Sequence, residues 1–148
     1  METEKVAEYL AEKKAKASLE FLQNDEILLT ADSIVVLKNE IFGKPKDYED
    51  ACRIIRKLSG NEHKVITGVC LLSKSKKVTF SGVSKVKFEP LSDEEIDFYV
   101  RNFEPYDKAG AYAIQEWIGL CKISKIEGTY SNIMGLPMEL VYRHLAEF

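Results

Sequence analysis

The apolar run Ile27–Leu37 (ILLTADSIVVL) constrains the fold more than any other part of the chain. Leucine and β-branched residues dominate it, which is typical of a strand buried on both faces. Thr30, Asp32 and Ser33 interrupt its middle. We therefore predict either one buried strand or two short strands with a polar break between them, and a sheet built around this run.

Sequence patterns on either side of the run predict two helices. The apolar residues of the first helix, which starts close to Met1, recur at roughly helical spacing between lysines and glutamates. Its predicted buried face comprises Val6, Tyr9, Leu10, Ala17, Phe21 and Leu22. Asp47 and Asp50 have the spacing of a helix N-cap, and Ser59–Gly60 suits a left-handed C-cap, so the second helix lies between them.

The second half of the chain begins with two apolar runs, Lys64–Leu72 and Val78–Phe88, on either side of a Ser-Lys turn. Together they predict a long antiparallel hairpin. Ser92 and Glu95 form a capping box, so another helix follows them. Trp117–Ile126 is predicted to be a further strand.

The last helix is predicted to start at Pro137, because proline suits the first turn of a helix. Its predicted buried face comprises Met138, Val141, Tyr142 and Leu145. These elements predict an α/β fold over residues 1–148, with a mixed, partly antiparallel central sheet flanked by helices. A chain of 148 residues fits one domain with one hydrophobic core.

The charge balance argues against a nucleic-acid polymer as a partner, because the net charge is −3. No apolar run approaches the length of a bilayer span, and the charged N-terminal residues do not resemble a signal peptide. We therefore expect no membrane contact and a cytoplasmic location.

The three cysteines, Cys52, Cys70 and Cys121, are odd in number, widely spaced and set in apolar runs. We predict that they are reduced and buried in the core. Only two histidines are present, His63 and His144, so neither a histidine metal site nor a Ser-His-Asp triad is favoured.

Asp32 is the first candidate for chemistry, because a carboxylate inside an apolar strand is costly unless it is paired or binds a cation. It is either a metal ligand or general base at a strand break, or a turn aspartate bonded to nearby backbone amides. The residues alone favour neither interpretation.

Gly43–Asp47 (GKPKD) places Lys44 and Lys46 just before a helix, where backbone amides add positive character. This arrangement suits a phosphate group. Considered alone, however, the segment is better explained as a solvated loop before an ordinary N-cap.

Asp107–Gln115 (DKAGAYAIQ) is rich in small residues that let a ligand approach the backbone. Lys108 could meet a phosphate group, and the Gln115 amide could read a base edge. The alternative is a tightly packed loop with Asp107 and Lys108 exposed. A fourth segment, Gly128–Pro137, could line a pocket, although N-capping explains much of its composition.

The order of these segments resembles the Maf-like family from end to end. The blocks that carry the resemblance are TADSIVV, GKPKD, KLSGNEHKVITGV, EPYDKAGAYAIQ and EGTYSNIMGLP. The resemblance implies a Maf/ITPase-like fold and hydrolysis of a nucleoside triphosphate to the monophosphate and pyrophosphate. It also implies a divalent metal cofactor, Mg²⁺ or Mn²⁺, and a homodimer.

The resemblance also implies roles for individual residues. Asp32 matches the family's catalytic aspartate, which accepts a proton and binds the metal. Five residues match substrate-binding positions: Lys14, Ser33, Lys44, Lys108 and Gln115. The position after the aspartate is usually threonine in the branch that acts on dTTP and UTP. Ser33 keeps that hydroxyl and Gln115 fits the same branch, so a pyrimidine triphosphate is the expected substrate.

One family feature does not match. Members normally open with a strand leading to a Ser-x-Ser-Pro-Arg-Arg type loop, whose arginines grip the triphosphate, and we expect an N-terminally truncated member without it. Loss of two charge-assisted contacts of about 1.5–3 kcal/mol each would weaken transition-state binding. The alternative expectation is a catalytically inactive remnant of the family that binds nucleotide or dimerises.

Overall fold

A five-stranded sheet organises residues 2–148, which are the residues described by this computed structural model. Met1, near which we predicted the first helix to start, lies outside them. The strands are β1 (Leu28–Leu37), β2 (Glu40–Phe42), β3 (Glu62–Leu72), β4 (Lys77–Phe88) and β5 (Ile123–Glu127). They lie in the order β2-β1-β3-β4-β5, and each of the four described pairings is antiparallel. The predicted α/β fold with a flanked, antiparallel sheet is confirmed.

Helices cover both faces of this sheet. They are α1 (Thr3–Ala17), α2 (Tyr48–Leu58), α3 (Asp93–Phe103), α4 (Trp117–Lys122), α5 (Tyr130–Met134) and α6 (Met138–Glu147). Helix α1 packs on one face, against side chains of β1 and β3. The opposite face carries the largest apolar cluster, to which α2, α3 and α5 contribute, and a smaller cluster with α6.

Strand β1 is continuous through its polar middle, so the predicted alternative of two short strands is wrong. Asp32 lies opposite Gly68 and Ser33 lies opposite Thr67 in the unbroken ladder with β3. The polar side chains do not interrupt the strand because its backbone pairs with β3 along most of its length. A tight turn at Lys38, whose φ is +49°, then returns the chain into β2.

The buried face of α1 is a row of alanines, not the larger residues that we predicted. Its fully buried residues are Ala7, Ala11 and Ala15, whereas Tyr9, Ala17 and Phe21 are exposed. Of the predicted face, Leu22 is buried, and Val6 and Leu10 are partly buried. The cause is the close approach of the helix to the sheet. A Cβ atom at Gly68 would lie 2.3 Å from the backbone of Ala7, so only small side chains fit between them.

The predicted helix caps of the middle of the chain are confirmed. The Asp47 side chain accepts a hydrogen bond from the Asp50 amide at the start of α2. Gly60, with a φ of +70°, follows its end. Ser92 and Glu95 form the predicted capping box of α3.

Two predictions in the last third of the chain are wrong. Trp117–Ile126 is a helix followed by a strand, because the Leu120 and Gly119 amides both bond to the Glu116 carbonyl and close a helical turn. Helix α6 buries Val141, but Met138, Tyr142 and Leu145 are exposed. This helix turns a different face to β4, as its His144 ring packs 4.0 Å from the Phe80 ring, centroid to centroid.

The cysteines only partly follow the prediction. Cys52 and Cys70 are buried and reduced, but Cys121 is exposed because it lies on the outer side of α4. Between residues 2 and 148, none of the helices has the length and apolar character needed to cross a bilayer.

Candidate active site

One cleft of about 250 Å³ brings together all six residues for which the family resemblance implies a role. Asp32, Lys14, Ser33, Lys44, Lys108 and Gln115 all line it. They come from α1, β1 and two loops that are far apart in the sequence. The folded chain therefore assembles at one place the residues that the sequence offers in four separate segments.

Asp32 faces α1, where its carboxylate meets a lysine. Lys14 Nζ lies 3.2 Å from Asp32 Oδ2 and also donates a hydrogen bond to the Ala31 carbonyl. The Asp32 side chain is 22% exposed and that of Lys14 is 52% exposed. The Asp32 carboxylate is thus partly shielded and paired. The Lys14 ammonium is half-exposed, so it can move away from the carboxylate into solvent. The turn interpretation of Asp32 is wrong, since the residue lies inside β1.

Asp32 lies in the part of β1 that does not pair with β2. Strand β2 pairs only with Val35–Leu37. Among the described residues, the preceding half of β1 has a strand neighbour on the β3 side alone.

The opposite wall is formed by two loops that are joined to each other. The Gly110 amide donates a hydrogen bond of 3.1 Å to the Gly43 carbonyl. Gly110 has a φ of +73°, and a Cβ there would lie 2.5 Å from a Val35 methyl carbon. Gly110 therefore lets the Asp107–Gln115 loop pack directly on β1. This packing, together with the hydrogen bond to Gly43, places Lys108 and Lys44 at the cleft.

The lysines of these loops differ in position. Lys44 and Lys108 line the cleft, but Lys46 does not, and its amide bonds to the Asp50 side chain of α2. Lys108 Nζ lies 3.3 Å from the exposed Asp107 carboxylate. Gly43–Asp47 is mostly exposed ahead of the Asp47 cap, as the solvated-loop interpretation predicts, and Asp107–Gln115 is packed at Gly110–Ile114 with Asp107 exposed. Binding of a phosphate or a base by these loops stays a prediction.

A hydrogen-bonded chain of polar groups lies under Ser33, on the side of the sheet away from α1. Ser33 Oγ lies 2.7 Å from Thr67 Oγ1, and Thr67 donates to the Asn132 carbonyl at 3.0 Å. Thr67 and Asn132 were missed by the sequence analysis. The signal available for Thr67 was a hydroxyl inside an otherwise apolar strand, which requires a partner when it is buried.

The segment before α6 both caps a helix and lines the cleft. Thr129 caps α5 through the Asn132 amide. Ile133, Met134 and Gly135, which follow it, lie in the cleft wall. The pocket-lining interpretation of Gly128–Pro137 is confirmed, whereas the cap in this segment belongs to α5 and not to the helix predicted to start at Pro137.

Tyr112 connects the cleft to the core. Its hydroxyl lies 2.6 Å from His63 Nε2, in a site walled by the Phe88 ring. Burial lowers the pKa of His63 to about 4, so the imidazole is neutral at pH 7. His63 is thus a buried core residue that supports Tyr112.

The charges of the cleft suit a polyanion together with a metal ion. Its lining holds three lysines, and within residues 2–148 no arginine contributes to it. In the same range no three His, Cys, Asp or Glu side chains gather into a preformed metal cage. Mg²⁺ is commonly held by one or two carboxylates plus substrate phosphates, so the Asp32 carboxylate fits a cation that arrives with its substrate.

A carboxylate and three lysines in one cleft of an α/β protein suit a small phosphorylated ligand, because charge-assisted hydrogen bonds to phosphate are strong. The chain belongs to the Maf-like protein family, whose sequence profile matches residues 1–148.

Curated relatives have closely similar sequences. A dTTP/UTP pyrophosphatase of Porphyromonas gingivalis W83 is 48% identical over 150 residues, covering 100% of this chain and 75% of the relative. The dTTP/UTP pyrophosphatase of Flavobacterium psychrophilum is 49% identical over 140 residues, which is 95% of this chain and 72% of the relative. That of Bacteroides thetaiotaomicron is 45% identical, with the same two shares of 95% and 72%.

Proposed function

We propose that this protein hydrolyses a pyrimidine nucleoside triphosphate, dTTP or UTP, to the monophosphate and pyrophosphate. The observation that carries the proposal is the meeting of Asp32, Lys14, Ser33, Lys44, Lys108 and Gln115 in one cleft. Family membership and relatives named dTTP/UTP pyrophosphatase support the reaction class and the base.

Asp32 is the proposed catalytic residue. Its carboxylate accepts a proton from the water that attacks the α-phosphorus, and the pyrophosphate departs as the bond to the β-phosphate breaks. The position suits this role because the side chain is partly shielded yet reaches the cleft. A fixed carboxylate beside the reacting water contributes both orientation and proton transfer.

The lysines are the proposed triphosphate contacts. Lys14 lies on the Asp32 side of the cleft, while Lys44 and Lys108 lie on the loops. Three cations around one polyphosphate offset its charge and stabilise the charge that develops on the leaving pyrophosphate. Lys14 is half-exposed, so it can turn from Asp32 to a phosphate oxygen when substrate enters.

A divalent cation, Mg²⁺ or Mn²⁺, is the proposed cofactor. Asp32 is the residue of this chain that would hold it, with phosphate oxygens as its remaining anionic ligands. When bound, the cation supplies charge neutralisation at those oxygens. Asp32 would be available for this contact once Lys14 turned to a phosphate oxygen.

Base recognition is assigned to Ser33 and Gln115. The amide of Gln115 offers a donor and an acceptor, which a uracil or thymine edge can match. Both residues line the cleft together with apolar side chains, including Ile133 and Met134, that can contact a base face.

We further propose that residues 1–148 act as one Maf-like domain in the cytoplasm and associate as a homodimer. Exposed apolar side chains on α4 and α6 support association: Leu120 is 81% exposed and Tyr142 is 79% exposed. Light scattering after size-exclusion chromatography tests the dimer directly.

Pyrophosphate release tests the catalytic proposal. The protein is incubated with dTTP, UTP, CTP or ATP, with and without Mg²⁺ or Mn²⁺, and Asp32→Asn serves as the matched inactive variant. We expect metal-dependent release from dTTP and UTP that is lost in Asp32→Asn. Nucleotide binding without release in the parent protein would instead identify a non-catalytic member of the family.

A further inference from the structure

We propose that Thr67 is a positioning residue that fixes the Ser33 hydroxyl so that its oxygen presents only acceptor lone pairs to the cleft. Ser33 then selects a base that carries an N–H donor at the matching position, as the imide of uracil and thymine does. This inference rests on the proposed function, because it concerns how the same cleft reads its base.

The direction of the two hydrogen bonds follows from their chemistry. Thr67 Oγ1 lies 3.0 Å from the Asn132 carbonyl oxygen and 2.7 Å from Ser33 Oγ. A carbonyl oxygen has no hydrogen to give, so the single hydroxyl hydrogen of Thr67 goes to Asn132. The hydrogen between Thr67 and Ser33 must therefore come from Ser33.

Reversing the chain would be unfavourable. If Thr67 donated to Ser33, its oxygen would face the Asn132 carbonyl oxygen at 3.0 Å with no hydrogen between them. Thr67 is fully buried, so no water can replace the missing donor. The buried Asn132 carbonyl thus sets the direction of the hydrogen bond between Thr67 and Ser33.

Asn132 holds its carbonyl in place through several contacts of its own. It is 2% exposed, and its side-chain amide donates to the Val65 carbonyl at 3.2 Å and to Ser84 Oγ at 2.9 Å. A Cβ at Gly82 would lie 2.5 Å from Asn132 Oδ1, so the side chain packs directly on β4. These side-chain contacts hold Asn132, and with it the backbone carbonyl that orients Thr67, against β3 and β4.

A hydroxyl whose hydrogen is already bonded elsewhere can only accept, so it distinguishes a base that donates from a base that accepts. A freely rotating hydroxyl can bond to either base. Ser33 Oγ has given its hydrogen to Thr67, so it can accept from the N3–H of uracil or thymine. The N3 of cytosine is itself an acceptor, and two facing acceptors repel each other. Loss of the Thr67 hydroxyl would let Ser33 rotate and donate to cytosine, which removes the discrimination.

Binding of UMP and CMP to the full chain tests the inference without requiring turnover. Titration calorimetry gives the ratio of the two dissociation constants for the parent, Thr67→Val, Thr67→Ser and Thr67→Ala. Thr79→Val is the matched control, because it makes the same change on the sheet at a residue outside the cleft lining. We expect Thr67→Val and Thr67→Ala to reduce the preference for UMP about 10-fold. Thr67→Ser and Thr79→Val should retain it.

A second series of variants distinguishes a positioning role of Thr67 from a general loss of structure. In a Ser33→Ala background, Thr67→Val should leave the ratio unchanged, because the residue acts through the Ser33 hydroxyl. An equal effect of Thr67→Val with and without Ser33 would overturn the inference, as would a parent ratio retained in both Thr67→Val and Thr67→Ala. If Thr67→Val does not fold, the contrast between Thr67→Ala and Thr67→Ser decides.

Failure of the proposed function gives a different pattern. A parent that binds neither monophosphate and releases no pyrophosphate contradicts both proposals. A parent that hydrolyses dTTP and UTP but binds UMP and CMP equally contradicts the inference about Thr67 alone.

Discussion

Asp32 and Ser33 are neighbours on β1, yet their side chains leave opposite faces of the sheet and line the same cleft. Asp32 meets Lys14 of α1, whereas Ser33 meets Thr67 on the side covered by α5. Alternation along a strand produces this arrangement. In the proposed function, two consecutive residues thereby serve the phosphates and the base.

Removal of the Lys14 ammonium, which lies beside Asp32, is expected to weaken catalysis. Lys14→Met keeps an unbranched side chain of similar size and removes the charge-assisted contact that we propose to the triphosphate. We expect kcat/KM for dTTP to fall about 10- to 100-fold. Steady-state pyrophosphate release measures this change. The free energy of unfolding should change little, because exposed ion pairs contribute little to stability.

Lys13→Met is the matched control, since Lys13 is a neighbouring exposed lysine of α1 that is not part of the cleft lining. An equal loss in both variants would mean that the overall positive charge of α1 matters, and would contradict a specific role for Lys14.

Stability is expected to fall as the solution is acidified from pH 7 to pH 5, because His63 is buried and neutral. Its folded pKa is about 4, below the ordinary value of 6.5, so the unfolded chain binds the extra proton between these pH values. This contribution is fully present above pH 6.5 and is lost as the pH falls toward 4. Urea unfolding should show a decrease of about 2 kcal/mol between pH 7 and pH 5.

His63→Phe should remove most of this pH dependence, although it also removes the hydrogen bond to Tyr112. His144→Gln is the control, because His144 lies on α6 and is only partly buried. A pH dependence of stability that persists in His63→Phe and disappears in His144→Gln would assign the effect to His144 and contradict this prediction.

Tyr99 supports the segment that carries Gln115. Its hydroxyl donates to Glu116 Oε1 at 2.5 Å and accepts from the Ala113 amide at 3.0 Å. Tyr99→Phe leaves that buried amide without a partner, so the free energy of unfolding should fall by about 1–3 kcal/mol. Urea unfolding of Tyr99→Phe and of Tyr130→Phe, which alters an exposed tyrosine, measures the difference; equal stability of the two variants would contradict this prediction.

Thiol labelling distinguishes the three cysteines. Cys121 is exposed and should react quickly with a thiol reagent in the native protein. Cys52 and Cys70 are buried, and burial raises the pKa of the Cys70 thiol. We expect one fast equivalent in native protein and three after denaturation, with the fast one absent in Cys121→Ser. Rapid labelling of all three in native protein would show that the core opens readily.

The sequence predicted those features that depend on short segments. The Asp47 N-cap and the Ser92–Glu95 capping box are local hydrogen bonds, and both are present. The long hairpin of β3 and β4 follows from two apolar runs around a turn. The six predicted site residues share a cleft, and their family resemblance, not their local pattern, brought them together as a prediction.

Features set by distant contacts were missed. Thr67 and Asn132 are 65 positions apart, so neither local composition nor spacing relates them. The face of α6 was predicted from apolar residues alone, but Tyr142 is exposed where the helix turns away from the sheet. Cys121 follows an apolar pattern and still lies on the outside, because a short helix replaces the predicted strand.

Gly68 lies directly across the ladder from Asp32, and its missing side chain sets how near α1 comes to the sheet. Lys14 follows Ala7 by about two turns of the same helix, so the two residues move as parts of one rigid rod. A methyl group at position 68 would lift the rod and carry the ammonium away from the carboxylate. The spacing of the two opposite charges is therefore governed by a residue that bears no charge.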